Sequence, residues 1–245
     1  MKIVTSRLFQ RYPQVRFGFT ARLGGVSPPP YDLNMSFSVG DDRSNVIRNR
    51  DLLFGRMRVS WEEVAIPKQC HSSTVLRADT GGGYDNCDAL VTNRIGVFLA
   101  VTVADCVPLF MFDPKNNAVA AVHLGWRGGA QDIISRALET LNEEFSTEPE
   151  NLIGFLGPAA GACCYEVGAE VASLFSTQFL RPGKNQKSFL DLKSFVRSEL
   201  ETKGVRAENI EASEFCTICT PELFHSYRRE GSRSGRMMGL IGLAL

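Results

Sequence analysis

The sequence contains only three histidines, so the surroundings of each can be compared directly. His71 lies between two predicted strands, His225 lies in a predicted short helix, and His123 ends the aliphatic run Val119-Ala-Ala-Val-His123. An imidazole at the end of a buried strand, directly before a glycine-rich turn, needs a polar partner or a metal ion. His123 is therefore the most informative of the three, and a hydrogen-bonded core histidine is the alternative interpretation.

A carboxylate and a thiol interrupt the apolar segment that precedes this strand, in Thr102-Val-Ala-Asp105-Cys106-Val-Pro108. Burying Asp105 without a donor or a cation is costly, so the sequence predicts a partner for it. Because the next strand ends in His123, the thiol, the carboxylate and the imidazole could converge at one edge of a sheet. That arrangement is typical of a functional site.

Two chemistries fit one cysteine with two histidines. As metal ligands, His71, Cys106 and His123 would form a tetrahedral zinc site with one open position, the pattern of a catalytic zinc. Alternatively, Cys106 would be a thiol nucleophile with His123 as its base and Asp105 as an orienting group. The three residues are 35 and 17 positions apart, which is not a compact metal-binding motif, so the spacing does not decide between the two.

A glycine-rich turn, Gly125-Trp-Arg127-Gly-Gly129, follows His123 and leads into a predicted helix. Backbone N–H groups at a helix N-terminus, together with the Arg127 guanidinium, would bind a phosphate or a carboxylate. The turn lacks the Lys-Ser/Thr pair of a P-loop. A tight turn with Trp126 as a lid on the core remains the alternative.

The other cysteines include the vicinal pair Cys163-Cys164 and the C-x-x-C sequence of Cys216 and Cys219. These could suggest a redox motif or parts of a zinc knuckle. A structural zinc site usually has two spaced pairs, and a vicinal pair on a strand points its side chains apart. We therefore expect buried thiols at these positions.

Hydrophobic patterning predicts the elements that carry these residues. Strands are expected at residues 15–22, 74–77, 89–92, 97–103, 107–112, 118–123, 152–156, 209–213 and 236–242. Helices are expected at residues 42–57, 130–145 and 168–179, after Asp191, and after Thr220-Pro221. Strands occur in blocks as well as alternating with helices, which favours an α+β fold. We expect a single domain over residues 1–245, with mixed β-sheets flanked by helices in a layered αββα-like arrangement.

The composition excludes several classes of partner. Lys and Arg together number 27, Asp and Glu together also number 27, and the pI is near 6.8. Neither nucleic acid nor a membrane surface is therefore expected as a partner. The apolar stretch 96–112 contains Asp105 and Pro108 and is typical of buried strands, not of a membrane helix. The first residues lack the pattern of a secretory signal, which predicts a cytoplasmic location with the seven cysteines as thiols or metal ligands. The sequence leaves protein partners open.

Several longer segments occur together in a distinctive order. They are Thr20-Ala-Arg22-Leu-Gly-Gly-Val-Ser27, Tyr31-Asp-Leu-Asn34, Gly40-Asp41 with Asn49-Arg50, Gln69-Cys-His71, Asp88-Ala-Leu-Val-Thr92, Ala104-Asp-Cys106-Val-Pro108, His123-Leu-Gly-Trp-Arg-Gly128, Gly157-Pro158, Tyr165-Glu-Val167, Ser226-Tyr-Arg-Arg229 and Gly235-Arg236-Met237. In these segments the chain resembles the laccase-domain family, which was long labelled multicopper polyphenol oxidase and is now regarded as purine nucleoside phosphorylases with adenosine deaminase activity. The resemblance spans almost the whole chain.

The resemblance implies that His71, Cys106 and His123 bind one zinc ion, with copper as an alternative. Ser72, Leu124 and Cys70 depart from the usual Gly, Ala and Val of the family, and none of these departures replaces a ligand. A true laccase needs a blue-copper centre and a separate histidine-rich copper cluster, which three histidines cannot supply. Multicopper electron transfer is therefore excluded by the number of ligands.

The resemblance also implies the reactions and the residues that serve them. The substrates would be a purine nucleoside and inorganic phosphate, for phosphorolysis of adenosine, inosine, guanosine or methylthioadenosine, and water for the hydrolytic deamination of adenosine at C6. The candidate catalytic residues are Asp105, for proton transfer or for orienting a histidine, and Arg127, for the anion. Arg22, Asn34 and Arg228 are the candidate substrate-binding residues. A cysteine hydrolase using Cys106 and His123, or a non-catalytic protein that binds a metal or a nucleoside, remains an alternative.

Overall fold

Two six-stranded sheets form the centre of the computed structural model, which describes residues 1–244. The prediction of one domain over residues 1–245 includes Leu245, which lies outside the described residues. The extent of the domain therefore stays a prediction. In spatial order the first sheet contains β1 (Ile3–Val4), β2 (Val15–Thr20), β15 (Met237–Leu243), β7 (Phe98–Val103), β3 (Val64–Pro67) and β5 (Gly82–Tyr84). The second contains β14 (Ile210–Ala212), β10 (Ile153–Leu156), β8 (Val107–Asp113), β9 (Ala118–Leu124), β6 (Ala89–Thr92) and β4 (Val75–Arg77).

The remaining elements lie around these two sheets. A small three-stranded sheet contains β11 (Glu166–Val167), β13 (Ser188–Leu190) and β12 (Leu180–Pro182). The α-helices are α1 (Arg43–Met57), α2 (Trp126–Ala130), α3 (Ile133–Phe145), α4 (Ala169–Ala172), α5 (Leu192–Thr202) and α6 (Tyr227–Glu230). Short 3-10 helices occupy Phe9–Arg11, Trp61–Glu63, Pro149–Asn151, Thr177–Phe179, Ala207–Asn209 and Gly231–Arg233.

Alternation along the central strands assigns their side chains to separate cores. In β8, Val107, Leu109 and Met111 pack under α3 and α5, whereas Phe110 and Phe112 point between the two large sheets. In the same way β7 and β15 divide their side chains between the space between the sheets and the core under α1. The layers are therefore helix, sheet, sheet and helix, which confirms the predicted α+β fold with its αββα-like arrangement.

Both large sheets are mixed, as predicted. The pairs β8–β9 and β7–β15 are antiparallel, whereas β3–β7 and β4–β6 are parallel. Among residues 1–244, no helix combines the length and the apolar character that crossing a membrane would require.

Two predicted helices are wrong. Within residues 168–179, helix α4 ends at Ala172, and the chain turns before the 3-10 helix Thr177–Phe179 so that β12 can pair with β13. The segment that begins at Thr220-Pro221 is a turn, and α6 begins only at Tyr227, so His225 precedes the helix. In the first case, strand pairing overrides the local helix propensity. In the second, Thr220-Pro221 begins a turn and not a helix.

Candidate functional site

Two of the predicted ligands lie where the chain passes from one large sheet to the other. His71 lies between β3 and β4, and Cys106 lies between β7 and β8. His123 is the penultimate residue of β9 and pairs with Pro108 of β8, directly beyond the Cys106 turn. Their ligand atoms all lie within 4.8 Å of one another, and the two imidazole rings are 4.8 Å apart at an angle of 80°. The predicted convergence at one sheet edge is therefore present.

The backbone around these side chains is specialised. His71 has φ +61° and Asp105 has φ +84°, a left-handed conformation that is uncommon for residues other than glycine and costs about 1–3 kcal/mol at each position. Gly125, just beyond β9, faces the same point: a Cβ atom there would lie 3.0 Å from Sγ of Cys106 and 3.3 Å from Cδ2 of His71. The glycine therefore leaves room for the three side chains to converge.

Asp88, directly before β6, holds both histidines and was missed by the sequence interpretation. Its Oδ1 atom accepts hydrogen bonds from Nδ1 of His123 at 2.7 Å and from the backbone N–H of His71 at 2.9 Å. Its Oδ2 atom accepts from the backbone N–H groups of Cys70 and Ser72 at 3.1 and 2.7 Å. The hydrogen bond orients the ring so that Nε2 of His123 is the nitrogen left to face Cys106.

The charges of this group are strongly coupled. Burial raises the pKa of the Cys106 thiol, but the neighbouring His123 and His71 outweigh it and bring the pKa to about 6. Burial lowers the pKa of His123, but the Cys106 sulfur and the Asp88 carboxylate raise it to about 9. Burial also raises the pKa of Asp88, and the hydrogen bonds from His123 and Ser72 bring it well below its ordinary value. The chain therefore stabilises a thiolate next to an imidazolium.

The donor set fits a zinc ion. One thiolate and two imidazoles are ligand types that zinc prefers, and three protein ligands leave one position open. A carboxylate behind a ligating histidine is the usual second partner of such a ring, and Asp88 supplies it. The family's usual Gly is Ser72 here, and its hydroxyl donates to Asp88 at 2.9 Å, so this departure reinforces the same carboxylate.

The three side chains line a cavity of about 620 Å³. Its wall contains three arginines, Arg127, Arg228 and Arg236, whose guanidinium groups lie 4.4, 5.3 and 5.6 Å from the ring centroids of Trp126, Tyr165 and Tyr227, respectively. The other residues that line it are Ser36, Ser38, Gln69, Thr102, Val103, Ala104, Asp105 and Gly125. A cavity with a cluster of one thiol and two imidazoles, cations and aromatic rings suits a polar ligand that has a flat ring and an anionic group.

Asp105 lines the cavity, and its carboxylate is held by the C-terminal part of the chain. Oδ1 accepts from Oγ1 of Thr217 at 2.6 Å, and Oδ2 accepts from Oγ of Ser226 at 3.0 Å and from the backbone N–H of Arg228 at 2.7 Å. These donors are the partners that burial of Asp105 predicted. The histidine-orienting role considered for Asp105 belongs to Asp88, and a role for Asp105 in proton transfer stays a prediction.

The remaining predicted contacts differ in their distance from the cavity. Arg127 and Arg228 line it, as just described. Arg22 lies behind its wall in ion pairs with Asp32 and Glu230 at 2.9 and 2.8 Å. Asn34 is fully buried, and its side-chain oxygen accepts from the backbone N–H groups of two cavity residues, Ser36 and Arg236, at 3.0 Å each. Direct contact of Arg22 and Asn34 with substrate stays a prediction.

Several residues that build the site carried a sequence signal that was not used. Asp88 precedes the buried strand β6 just as Asp105 precedes β8, so the argument from a buried carboxylate applied equally to it. Arg236 lies with Arg228, Arg229 and Arg233 in a group of arginines near the C-terminus, a pattern that is otherwise typical of a solvated loop. His225 is fully buried against Gly235, away from the convergence point, in agreement with its exclusion from the ligand set.

Comparisons with known proteins give a consistent result. A family model described as multi-copper polyphenol oxidoreductase laccase matches residues 16–244. The chain is 32% identical to a protein named purine nucleoside phosphorylase YlmD from Bacillus subtilis (strain 168), over 96% of this chain and 90% of that protein. It is 36% identical to a protein named purine nucleoside phosphorylase YfiH from Escherichia coli (strain K12), over 91% of this chain and 92% of that protein.

A solved structure gives the same result at the level of the fold. The crystal structure of YlmD from Geobacillus stearothermophilus superposes with a TM-score of 0.92 at 31% identity, covering 98% of this chain and 94% of that one. The similarity therefore extends over both large sheets and the cavity between their edges.

Proposed function

The chain belongs to the multi-copper polyphenol oxidoreductase laccase family, and from this premise we propose that it is a zinc-dependent enzyme of purine nucleosides. The proposed reactions are the phosphorolysis of adenosine, inosine, guanosine or methylthioadenosine and the hydrolytic deamination of adenosine. The observation that carries the proposal is that one cavity contains the His/Cys metal-ligand set together with three arginines. The names of the relatives agree with a purine nucleoside and phosphate as the two substrates.

His71, Cys106 and His123 would hold the ion, and a bound zinc supplies a Lewis acid that polarises an oxygen ligand and lowers the pKa of water. We propose one ion in the cavity, because three histidines cannot supply the several copper centres that the family's name implies. Zinc is the ion of choice for this ligand set, and copper is the alternative to be distinguished by metal analysis.

The arginines would bind the phosphate. A guanidinium offers paired donors to phosphate oxygens, and Arg127, Arg228 and Arg236 each lie over an aromatic ring that limits their mobility. In phosphorolysis, a phosphate oxygen attacks C1′ of the ribose and the bond from C1′ to the purine nitrogen breaks, which yields ribose 1-phosphate and the free base. The chain's contribution is to orient the anion and to neutralise it while positive charge develops on the ribose.

The purine would pack against the aromatic side of the cavity, where Tyr227 is half exposed next to Arg228. Asp105 is the candidate for holding or moving a proton during deamination, because it lines the cavity and its carboxylate is fixed in place by Thr217 and Ser226. Asp105 also positions Arg228, because its carboxylate accepts a hydrogen bond from the backbone N–H of Arg228.

One experiment tests the proposed function. Purified protein is incubated with adenosine, with and without phosphate and with and without a metal chelator, and inosine, adenine, hypoxanthine and ribose 1-phosphate are resolved. We expect the formation of adenine and ribose 1-phosphate to require phosphate and the formation of inosine not to require it. Both activities should be lost after chelation and recovered when zinc is added. Binding of adenosine without any product would identify a non-catalytic nucleoside-binding protein instead.

Variants connect the activity to the proposed ligands. Cys106→Ala and His123→Ala should abolish zinc loading of the cavity and turnover while the far-ultraviolet circular dichroism stays unchanged. Cys87→Ala is the matched control, because Cys87 is a buried cysteine outside the cavity. Full turnover in a Cys106→Ala or His123→Ala protein without zinc in the cavity would contradict the proposal.

A thiol hydrolase is the second candidate, and one contact favours it. Asp88 holds His123, which lies next to a Cys106 thiol of lowered pKa, as in a Cys-His-Asp triad. Such an enzyme would keep its activity in strong chelator and lose it to a thiol alkylator. A zinc enzyme would be inactivated by the chelator, so the two treatments separate the candidates.

A further inference from the structure

Four cysteines outside the cavity form a second cluster. The sulfur atoms of Cys163, Cys164, Cys216 and Cys219 all lie within 4.8 Å of one another. Sγ of Cys163 is 3.7 Å from Sγ of Cys219, and all four side chains are free thiols. Cys163 and Cys219 are exposed and Cys164 is half-buried, so the expectation of buried thiols is correct only for Cys216.

Two loops of the second sheet supply these residues. One loop follows β10 and contains Cys163 and Cys164, and the other follows β14 and contains Cys216 and Cys219. The loops are joined by a β-bridge between Ala159 and Cys216. The cluster therefore connects segments that are more than fifty residues apart in the sequence.

A turn explains how adjacent cysteines can point to one place. Residues 162–164 are a turn, in which the backbone N–H groups of Cys164 and Tyr165 both donate to the carbonyl of Gly161 at 2.9 Å. The argument that a vicinal pair points apart applies to a strand and does not hold here. A Cβ atom at Gly161 would lie 3.3 Å from Sγ of Cys163 and 3.4 Å from Sγ of Cys216, so the absence of a side chain there leaves space for the sulfurs.

The distances fit a single tetrahedral ion. Zinc–sulfur bonds of about 2.3 Å in a regular tetrahedron place neighbouring sulfurs about 3.8 Å apart, whereas a disulfide needs about 2.0 Å. A four-iron cluster binds each cysteine to a different iron and therefore needs a wider separation. The C-x-x-C spacing of Cys216 and Cys219 is typical of one half of a structural zinc site, and Cys163 and Cys164 would complete it.

Donors and cations surround the cluster. The backbone N–H of Gly161 donates to Sγ of Cys216 at 3.2 Å, as expected for a sulfur that carries negative charge. Arg229 donates to the carbonyls of Thr217 and Ile218, between the two cysteines of the C-x-x-C sequence, at 2.7 and 2.9 Å. Lys193 donates to the carbonyls of Ser213 and Phe215 at 2.6 and 3.1 Å. Lys193 would offset part of the double negative charge of a zinc ion with four thiolates, whereas the charge of Arg229 is shared with Glu230 at 2.9 Å.

We propose that Cys163, Cys164, Cys216 and Cys219 bind a second, structural zinc ion, separate from the ion proposed for the cavity. Its role follows from what lies between the ligands. Thr217 donates to Asp105 at 2.6 Å, and Tyr165, next to Cys164, lines the cavity. The ion would hold these two loops together behind the cavity wall, with no direct contact with substrate. The proposal does not depend on the reaction assigned to the cavity.

Metal analysis of the full chain tests it. Protein prepared with zinc under reducing, anaerobic conditions should contain two zinc ions per chain. The His71→Ala/His123→Ala variant should keep one, and a Cys163→Ser/Cys219→Ser variant, altered at two exposed positions, should also keep one. Cys87→Ser is the matched control and should keep two, because Cys87 belongs to neither group.

A spectroscopic measurement identifies the ligands without altering any of the four cysteines. The His71→Ala/His123→Ala variant loaded with cobalt(II) should show the intense thiolate-to-cobalt absorption of a tetrahedral site with four sulfurs. This result stands even if the cysteine variant fails to fold. Absence of zinc from the histidine variant, or a mass decrease that shows a disulfide within the cluster of the anaerobic protein, would overturn the proposal. Failure of nucleoside turnover would leave these metal counts unchanged.

Discussion

Oδ1 of Asp88 lies 2.7 Å from Nδ1 of His123, in a buried pair at the end of β9. The same carboxylate accepts the backbone N–H of His71, so one side chain fixes the ring of one predicted ligand and the loop of another. Asp88 therefore connects the two histidines without belonging to the predicted ligand set.

We expect Asp88→Asn to weaken zinc binding at the cavity about ten- to a hundredfold, because the carboxylate behind a histidine increases its basicity and fixes its orientation. Competition with a chromogenic chelator measures the affinity. Asp113→Asn is the control, since Asp113 is an equally buried carboxylate that accepts from Lys115 and Asn116 in a distant turn. Unchanged zinc affinity in Asp88→Asn would show that the carboxylate serves only the loop.

Zinc binding at the cavity should release a proton from His123. Without metal, the pKa of Cys106 near 6 and that of His123 near 9 leave a thiolate beside an imidazolium at intermediate pH. The ion needs the neutral ring, so apparent affinity should rise with pH up to about 9 and level off above it. Calorimetry in buffers of different ionisation enthalpy counts the protons. Affinity independent of pH between about 7 and about 8.5 would contradict the ion pair.

We expect Asp105→Asn to reduce deamination more than phosphorolysis, by at least about a hundredfold in kcat, if Asp105 moves a proton. The amide has nearly the same shape and can still accept from Thr217, but it lacks the charge, and its NH2 group cannot accept from the backbone N–H of Arg228. Thr217→Val removes only the hydrogen bond to Oδ1 and is the comparison variant. Equal losses of both activities in Asp105→Asn would identify Asp105 as a positioning residue for Ser226 and Arg228.

Arg127→Ala should raise the KM for phosphate about tenfold or more and leave deamination nearly unchanged, because a charge-assisted hydrogen bond to an anion is worth about 1.5–3 kcal/mol. Initial rates over a range of phosphate concentrations measure the effect. Arg136→Ala, which removes an exposed arginine of α3 outside the cavity, is the control. Parallel losses of both activities in Arg127→Ala would mean that this arginine has a structural role only.

The ion pairs around Glu230 predict an acid-sensitive contribution to stability. Burial raises the pKa of Glu230, but His225, Arg229 and Arg22 lower it to about 2. The stabilisation is therefore complete above the ordinary carboxyl pKa of about 4.5 and is lost as the pH falls towards 2. Denaturant unfolding of metal-free protein should show wild type more stable than Glu230→Gln at neutral pH, with a difference that shrinks below about pH 4.5. Glu139→Gln, at an exposed pair with Arg136, should show little difference at either pH.

Much of the site could be predicted because its residues break strong patterns. Asp105 and Cys106 interrupt an apolar segment, and His123 ends an aliphatic strand, so their burial and convergence followed from the sequence. Asp88 was missed because it lies 35 residues from His123 in the sequence, so no local pattern identifies it as the polar partner that the buried ring needs. The contact depends on the pairing of β6 with β9, which places Asp88 beside His123 and is a long-range feature.

The wrong predictions have a common physical cause. Val171, Phe175 and Phe179 have helical spacing and are all buried, yet a short helix, a turn and a 3-10 helix place them in the core. The vicinal pair Cys163-Cys164 was judged by strand geometry, but it lies in a turn. In both cases the local pattern was identified correctly, and contacts with distant segments selected another backbone conformation.

The passage of the chain between the two large sheets at His71 and at Cys106 has a consequence for folding. His71 and Cys106 lie in the connections between the sheets and not within a strand, so the set of three side chains exists only after these connections have packed against β9. We expect this step to be slow relative to helix formation, because it closes loops between distant parts of the chain. Acquisition of metal at the cavity would then report that these connections have packed, and a chain in which they are misplaced would remain without this ion at any zinc concentration.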